Sequence, residues 1–112
     1  MKVSIIIPTN NHLEDFLKPC IYSIMKHTTM KYEVIVVANG CTDGTEEFIH
    51  SVNKDINKGA LPYGDLVEDK FKLLSFPEPL GYTKAINEGI KVATSPYVVL
   101  MNNDIIVGDK TW

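Results

Sequence analysis

Arginine is absent from this chain: all eleven basic residues are lysines, set against fourteen acidic ones, for a formal net charge of -3. Nucleic-acid binders carry a basic stripe or face, and none is visible, so nucleic acid is excluded as the main partner. Cysteine is scarce too. Cys20 and Cys41 lie far apart, with no metal-type spacing such as C-x-x-C and no histidine in a pattern that marks a thiol nucleophile. Both are expected to be free thiols in a reducing compartment, Cys20 as a small core residue. No apolar run approaches the roughly 20 residues of a membrane span, and the opening apolar stretch is too short for a signal sequence and has no small-residue cleavage site after it. A cytoplasmic location is expected, with peripheral attachment to a membrane left open. Low-complexity tracts and internal repeats are missing as well. The 112 residues therefore read as one small globular domain or part of a larger one.

What is present is an alternation of strand and helix signals. Val3–Ile7 is a first apolar strand stopped by Pro8. Asn11 lies three residues before Glu14, the spacing of a capping box in Asn form, worth roughly 1 kcal/mol. Leu13, Phe16, Leu17, Cys20, Ile21, Ile24 and Met25 follow at helical spacing. Pro19 falls inside that pattern and predicts a kink, or a main segment starting after a short first turn. Tyr32–Ala38 is a second strand, Asn39-Gly40-Cys41-Thr42 a tight loop, and Asp43 with Glu46 a second cap pairing into a helix through Phe48 and Ile49. From Asn53 to Asp69 the pattern dissolves into a long surface connection. Lys70–Phe76 is a third strand, closed by Pro77 and Pro79. Ala85, Ile86, Gly89, Ile90 and Ala93 mark a third helix, whose small residues permit close approach to a sheet. Tyr97–Met101, after Pro96, reads as a fourth strand buried on both faces. This order predicts a Rossmann-like α/β fold: a mainly parallel sheet of about four strands, with right-handed crossovers and helices on its faces.

In such a sheet, ligands bind just beyond the carboxyl ends of the strands. Asn102, Asn103 and Asp104 fall there, at the end of the last strand. A carboxylate flanked by amide oxygens offers hard ligands, suited to Mg²⁺ or Mn²⁺ carrying phosphates. Asn and Asp are also ordinary turn residues, so this turn alone decides nothing. Two other nucleotide or signalling classes drop out. There is no G-x-G-x-x-G at the first turn and no acidic pair after the first strand.

Three segments together resemble the amino-terminal half of family 2 glycosyltransferases, which have the GT-A fold. Val3-Ser-Ile-Ile-Ile-Pro-Thr-Asn-Asn11 is similar to the family's opening strand and Pro-Thr-x-Asn turn. Val36-Val-Ala-Asn-Gly-Cys-Thr-Asp-Gly-Thr45 is similar to its second strand and the loop beyond. Gly81-Tyr-Thr-Lys-Ala-Ile-Asn-Glu-Gly89, running on to Leu100-Met-Asn-Asn-Asp104, resembles its helix and DxD-type metal motif. The resemblance covers nearly all of residues 1–112, in the right order, and implies a donor domain that binds a nucleotide-diphosphate sugar with Mn²⁺ or Mg²⁺ for inverting transfer. The acceptor it implies is an unspecified glycan, lipid or protein.

By that resemblance Pro8, Thr9 and Asn11 belong to the nucleotide-binding turn, and Asn39 faces the base or ribose. Gly81 presents the amino terminus of the third helix to the diphosphate, with Lys84 nearby and Asn87 supporting the loop. Asn102 and Asn103 approach the ribose or the metal, and Asp104 is the metal carboxylate. Gly40, Asp43 and Gly44 set the turn and helix start. Each also has an ordinary role as a turn former, cap or solvated side chain.

The sequence departs from the family in two places. Ala38 stands where the family usually carries an Asp that recognises the imide of uracil or thymine. Asn102 and Asn103 replace carboxylates of the metal motif. The family's acceptor site and general base come from a second half, so the chain is expected to be truncated after the metal motif, with no catalytic base assigned; Asp109 lies too near that motif to serve. A second reading therefore stands beside the enzyme: a non-catalytic nucleotide-binding or interaction module, whose open sheet edge would favour a homo-oligomer.

Overall fold

Lys2–Thr9 form strand β1, where β-branched residues suit a pleated, buried surface. Alternate side chains point to opposite faces of a strand, and that alternation divides the core in two. Val3, Ile5 and Ile7 join one apolar cluster, and Ile6 joins another. Strand β2 (Lys31–Asn39) pairs in parallel with β1, placing Ile6 beside Ile35 and Thr9 beside Ala38. Strands β3 (Lys72–Phe76) and β4 (Tyr97–Leu100) also pair in parallel, β3 with β2 and β4 with β1. The sheet order is thus β3-β2-β1-β4. The computed structural model describes residues 2–28, 30–57 and 71–106.

Helix α1 (Lys18–His27) and helix α2 (Thr45–Asn57) cover one face of the sheet, through residues such as Cys20, Ile21, Ile24, Ile49 and Val52. Helix α3 (Tyr82–Val92) covers the other through Ala85 and Ile86. A Cβ added at Gly89 would come within 2.6 Å of Ile6 Cγ2, so the glycine sets how closely α3 sits on β1. Pro19 lies in the first turn of α1, preceded by a π-helical turn over Leu13–Leu17. The main helix thus begins after a short first turn, one of the two arrangements the proline predicts.

Three sequence expectations are corrected. Strand β4 is an edge strand rather than one buried on both faces: Tyr97 is 57% exposed, Leu100 50% and Val98 39%. Helix α3 packs mainly on β1 and β2. The Asn11–Glu14 capping box does not form. Asn11 and His12 both take left-handed φ of 60°, and the amide of Leu13 is instead capped by Asp43 Oδ2 at 2.8 Å from the loop after β2. The polar stretch from Asn53 is helical up to Asn57. Asn53 clamps the start of β3 with paired bonds to the Phe71 backbone, donating to its carbonyl at 3.0 Å and accepting its amide at 2.7 Å. The remainder of the expected connection, with Lys70, lies outside the described residues, as does Asp109.

At the amino-terminal end of the strands, Glu33 is fully buried on the α3 face. Its Oε2 accepts from Ser4 Oγ (2.6 Å), Thr94 Oγ1 (2.6 Å) and the Thr94 amide (2.7 Å). Lys72 Nζ lies 2.9 Å from Oε1, an ion pair, and also donates to the Val92 carbonyl at 3.1 Å. Burial pushes this carboxyl up. The bonds from Ser4, Thr94 and Lys72 outweigh it and hold the group down at about 2. Glu33 thereby ties β1, β2 and β3 to the connection that carries α3 into β4.

Candidate functional site

The strand order places a topological switch point between β1 and β4, because the chain moves outward from β1 through β2 to β3 and then returns to the other side. Loops leaving strands at such a point diverge to opposite faces and open a crevice at the carboxyl edge. The turns after β1 and β4 therefore flank the crevice, and the loop after β2 and the start of α3 close around it.

Hydrogen bonds knit these loops together. Thr9 is buried; its hydroxyl donates to the Asn11 carbonyl at 3.2 Å and accepts from Asn103 Nδ2 at 3.0 Å. Asn11 Oδ1 accepts the Thr42 amide at 2.8 Å. Asn10 Nδ2 donates to the Asn39 carbonyl at 2.5 Å, and Asn39 Oδ1 accepts the Leu80 amide at 2.6 Å. Gly40, at a φ of 78° that favours glycine, donates its amide to the Phe76 carbonyl at 2.8 Å. Cys41 contributes a thiol that donates to the Thr9 carbonyl at 3.3 Å and takes the Asn11 amide at 3.4 Å. Both cysteines are free thiols, as the sequence predicts.

Asp43 anchors this scaffold from below. Besides Leu13, it accepts the Thr45 hydroxyl at 2.6 Å, so one carboxylate caps two helix starts. Burial pushes its carboxyl up, but the Thr45 hydroxyl and the Leu13 and Thr45 amides hold it below its ordinary value. Glu46, expected to complete a cap with Asp43, bonds the Ser75 hydroxyl on β3 instead.

The turn after β4 straddles the sheet. Asn102 Oδ1 accepts from the Tyr82 hydroxyl at 3.4 Å on the α3 side, and Asn103 reaches Thr9. Asp104 is exposed on the α1 side, where its charge adds to the effect of burial in pushing the Cys20 thiol up to about 11. Gly81, at φ 84° and ψ 157°, is the N-cap of α3; it supplies no side-chain cap, and a Cβ there would meet nothing within 4 Å. No side chain of the N-cap residue caps the first turn of α3, which begins beside Asn102.

Pro8, Thr9, Asn10, Asn39 and Tyr82 line a recess of about 150 Å³ at this edge. Of the predicted site residues, Pro8, Thr9, Asn11, Asn39, Gly81, Asn102, Asn103 and Asp104 are thus gathered at one edge of the sheet. Lys84 is not drawn into the recess. It lies with Asn87, Glu88 and Lys91 along a groove on the outer side of α3, bordered by Phe76 and Leu80. Two members of the site, Asn10 and Tyr82, were not singled out by sequence reasoning. An aromatic residue directly after a helix-starting glycine was the available signal. Among the described residues, no three His, Cys, Asp or Glu side chains come together as a metal cage.

The model of the glycosyl transferase family 2 matches residues 4–112, and the chain belongs to that family. It is 26% identical over 105 residues to the glycosyltransferase GlyG of Streptococcus pneumoniae, covering 94% of this chain and 31% of that protein. It is 30% identical over 104 residues to the glycosyltransferase AglE of Haloferax volcanii, covering 91% of this chain and 30% of that one. The structure of S. aureus TarS 1-349 superposes with a TM-score of 0.73 at 26% identity, over 98% of this chain and 29% of that chain. The same TarS segment has been solved with UDP (TM-score 0.69, 27% identity, 93% and 28% covered) and with UDP-GlcNAc (0.70, 26%, 93% and 27%). The chain thus spans about a third of the length of these relatives. The four-stranded parallel sheet flanked by helices matches their Rossmann-like GT-A architecture. Among the described residues, no helix is long and apolar enough to cross a membrane.

Proposed function

We propose that this chain is the donor-binding part of a glycosyltransferase, holding a nucleotide-diphosphate sugar for inverting transfer to a glycan, lipid or protein acceptor. The observation that carries this reading is the convergence at the switch point of the recess, the start of α3 and the turn bearing Asp104. The recess takes the base or ribose against Pro8, Thr9 and Asn39. The diphosphate lies at the amino terminus of α3, where first-turn amides and the helix dipole favour an anion. The relatives' complexes with UDP and UDP-GlcNAc support a donor of this class.

Asp104 would hold Mg²⁺ or Mn²⁺, which when bound offsets diphosphate charge and stabilises the departing nucleotide. One carboxylate suffices for a cation that takes most of its shell from phosphate oxygens and water. Metal affinity in the absence of nucleotide is accordingly weak. The two free thiols fit a reducing, cytoplasmic setting.

A second reading, a family member that holds a nucleotide without transferring a sugar, is favoured by Ala38 and by Asn102 and Asn103 standing in place of carboxylates. Calorimetric titration of the chain with UDP, dTDP and GDP, each with and without Mn²⁺, tests the donor site. Saturable binding of one nucleotide that requires Mn²⁺ supports it. A folded chain that binds none of the three contradicts it.

A further inference from the structure

We propose that Tyr82 is a nucleoside-contacting residue, its ring forming one wall of the base site and its hydroxyl positioning Asn102; this rests on the donor-site reading above. Tyr82 lies on the same stripe of α3 as Ala85, Ile86 and Gly89, all packed onto the sheet. One turn earlier than Ile86, it has passed the strand ends. Its ring therefore projects over the carboxyl edge and is 58% exposed, where its neighbours on the stripe are buried.

Among the described residues this exposed ring joins neither apolar cluster of the core. Its surroundings supply it with a role. The recess it lines has two apolar members, Pro8 and Tyr82, and polar groups from Thr9, Asn10 and Asn39 between them. At about 150 Å³ it is smaller than the roughly 300–1,000 Å³ of a pocket that engulfs a whole ligand. It suits a single planar ring, read at its edge by the side-chain amides of Asn10 and Asn39. Ala38, buried at the end of β2, offers no polar atom for that edge. With no carboxylate to bind the imide, stacking supplies a larger share of base affinity here.

The hydroxyl of Tyr82 reaches Asn102 Oδ1 at 3.4 Å. One side chain thus touches both the base recess and the turn that leads to Asp104. Occupation of the recess fixes the ring, and through it the carbonyl oxygen of Asn102 at the diphosphate side.

The test is calorimetry on wild type, Tyr82→Ala, Tyr82→Phe and Tyr82→Trp, titrated with UDP, dTDP and GDP in Mn²⁺ and, separately, with Mn²⁺-pyrophosphate. Base–aromatic stacking predicts about a tenfold loss of nucleotide affinity in Tyr82→Ala. Mn²⁺-pyrophosphate, which has no base, should bind Tyr82→Ala as it binds Tyr82→Phe, since both lack the hydroxyl and differ only in the ring. Tyr82→Trp should restore nucleotide affinity. Tyr82→Phe should keep it while reducing the gain that Mn²⁺ provides. Nucleotide affinity unchanged in Tyr82→Ala, or lost equally with pyrophosphate affinity, overturns the proposal and leaves the donor site standing. A folded wild-type chain that binds no nucleotide overturns both.

Discussion

Asn103 donates its side-chain amide to the hydroxyl of Thr9 at 3.0 Å, joining the turn after β4 to the turn after β1 across 94 positions of sequence. Thr9 passes the connection on to the Asn11 carbonyl, and the Asn11 side chain takes the Thr42 amide. Three loops that only the fold brings together are thus held as one scaffold around the switch point. Its first prediction is a coupling. Asn103→Ala and Thr9→Val should each lower stability by about 1 kcal/mol, the net worth of a typical hydrogen bond. In urea denaturation the double variant should lose less than the sum of the two. Strict additivity would show that the two side chains are not joined in solution.

Glu33 makes the second prediction, on pH. Its folded value is depressed, from 4.5 to about 2. The stability it contributes is therefore full above about pH 4.5 and is lost as pH falls towards 2. The shift corresponds to about 3 kcal/mol. Asp43, also depressed, acts with the same sign. Thermal denaturation from pH 7 to pH 2 should show Glu33→Gln destabilised at neutral pH and converging on wild type in acid. A constant offset across the range would contradict the ion-paired, ionised Glu33.

The third prediction concerns Asp104. It is exposed and supports no packing, so Asp104→Ala should unfold at the same temperature as wild type. Nucleotide affinity in Mn²⁺ should fall to the metal-free level. Retained Mn²⁺ dependence would remove Asp104 from the metal site.

Ala38 provides the fourth. A carboxylate introduced at this buried position is unpaired until a base arrives, so Ala38→Asp should melt earlier than wild type without nucleotide. A charge-assisted bond to an imide should then raise affinity for UDP or dTDP by at least about tenfold, with no gain for GDP. Equal effects on all three nucleotides in parallel titrations would mean that position 38 does not face the base.

The alternation of strand and helix, the parallel sheet and the convergence of the strand-end loops were legible because each rests on local pattern. Val3–Ile7 and Tyr32–Ala38 are unbroken apolar runs, and Gly40 and Gly81 mark where the chain must turn; Pro8, expected to stop the first strand, instead pairs with Val37 inside β1. What was not legible depends on position in three dimensions. The run Tyr97–Leu100 has the composition of a central strand, and only the sheet order makes it an edge. Asn53 carries the signal of a loop residue, yet from within a helix it clamps a backbone 18 positions away. Asn11 and Glu14 had the spacing of a cap, but Asp43 supplied that cap from another loop. Tyr82 matched a helix-start motif without revealing that its ring hangs over the site.

Backbone amide chemical shifts of ¹⁵N-labelled chain, followed during titration with Mn²⁺ and the nucleotide that binds, test the central claim most directly. The account predicts shifts concentrated at Thr9, Asn39, Gly81, Tyr82 and the Asn102–Asp104 turn, with the amino-terminal strand ends around Glu33 unmoved. Shifts confined to the outer groove of α3, at Asn87 and Lys91, would place the nucleotide elsewhere and contradict it.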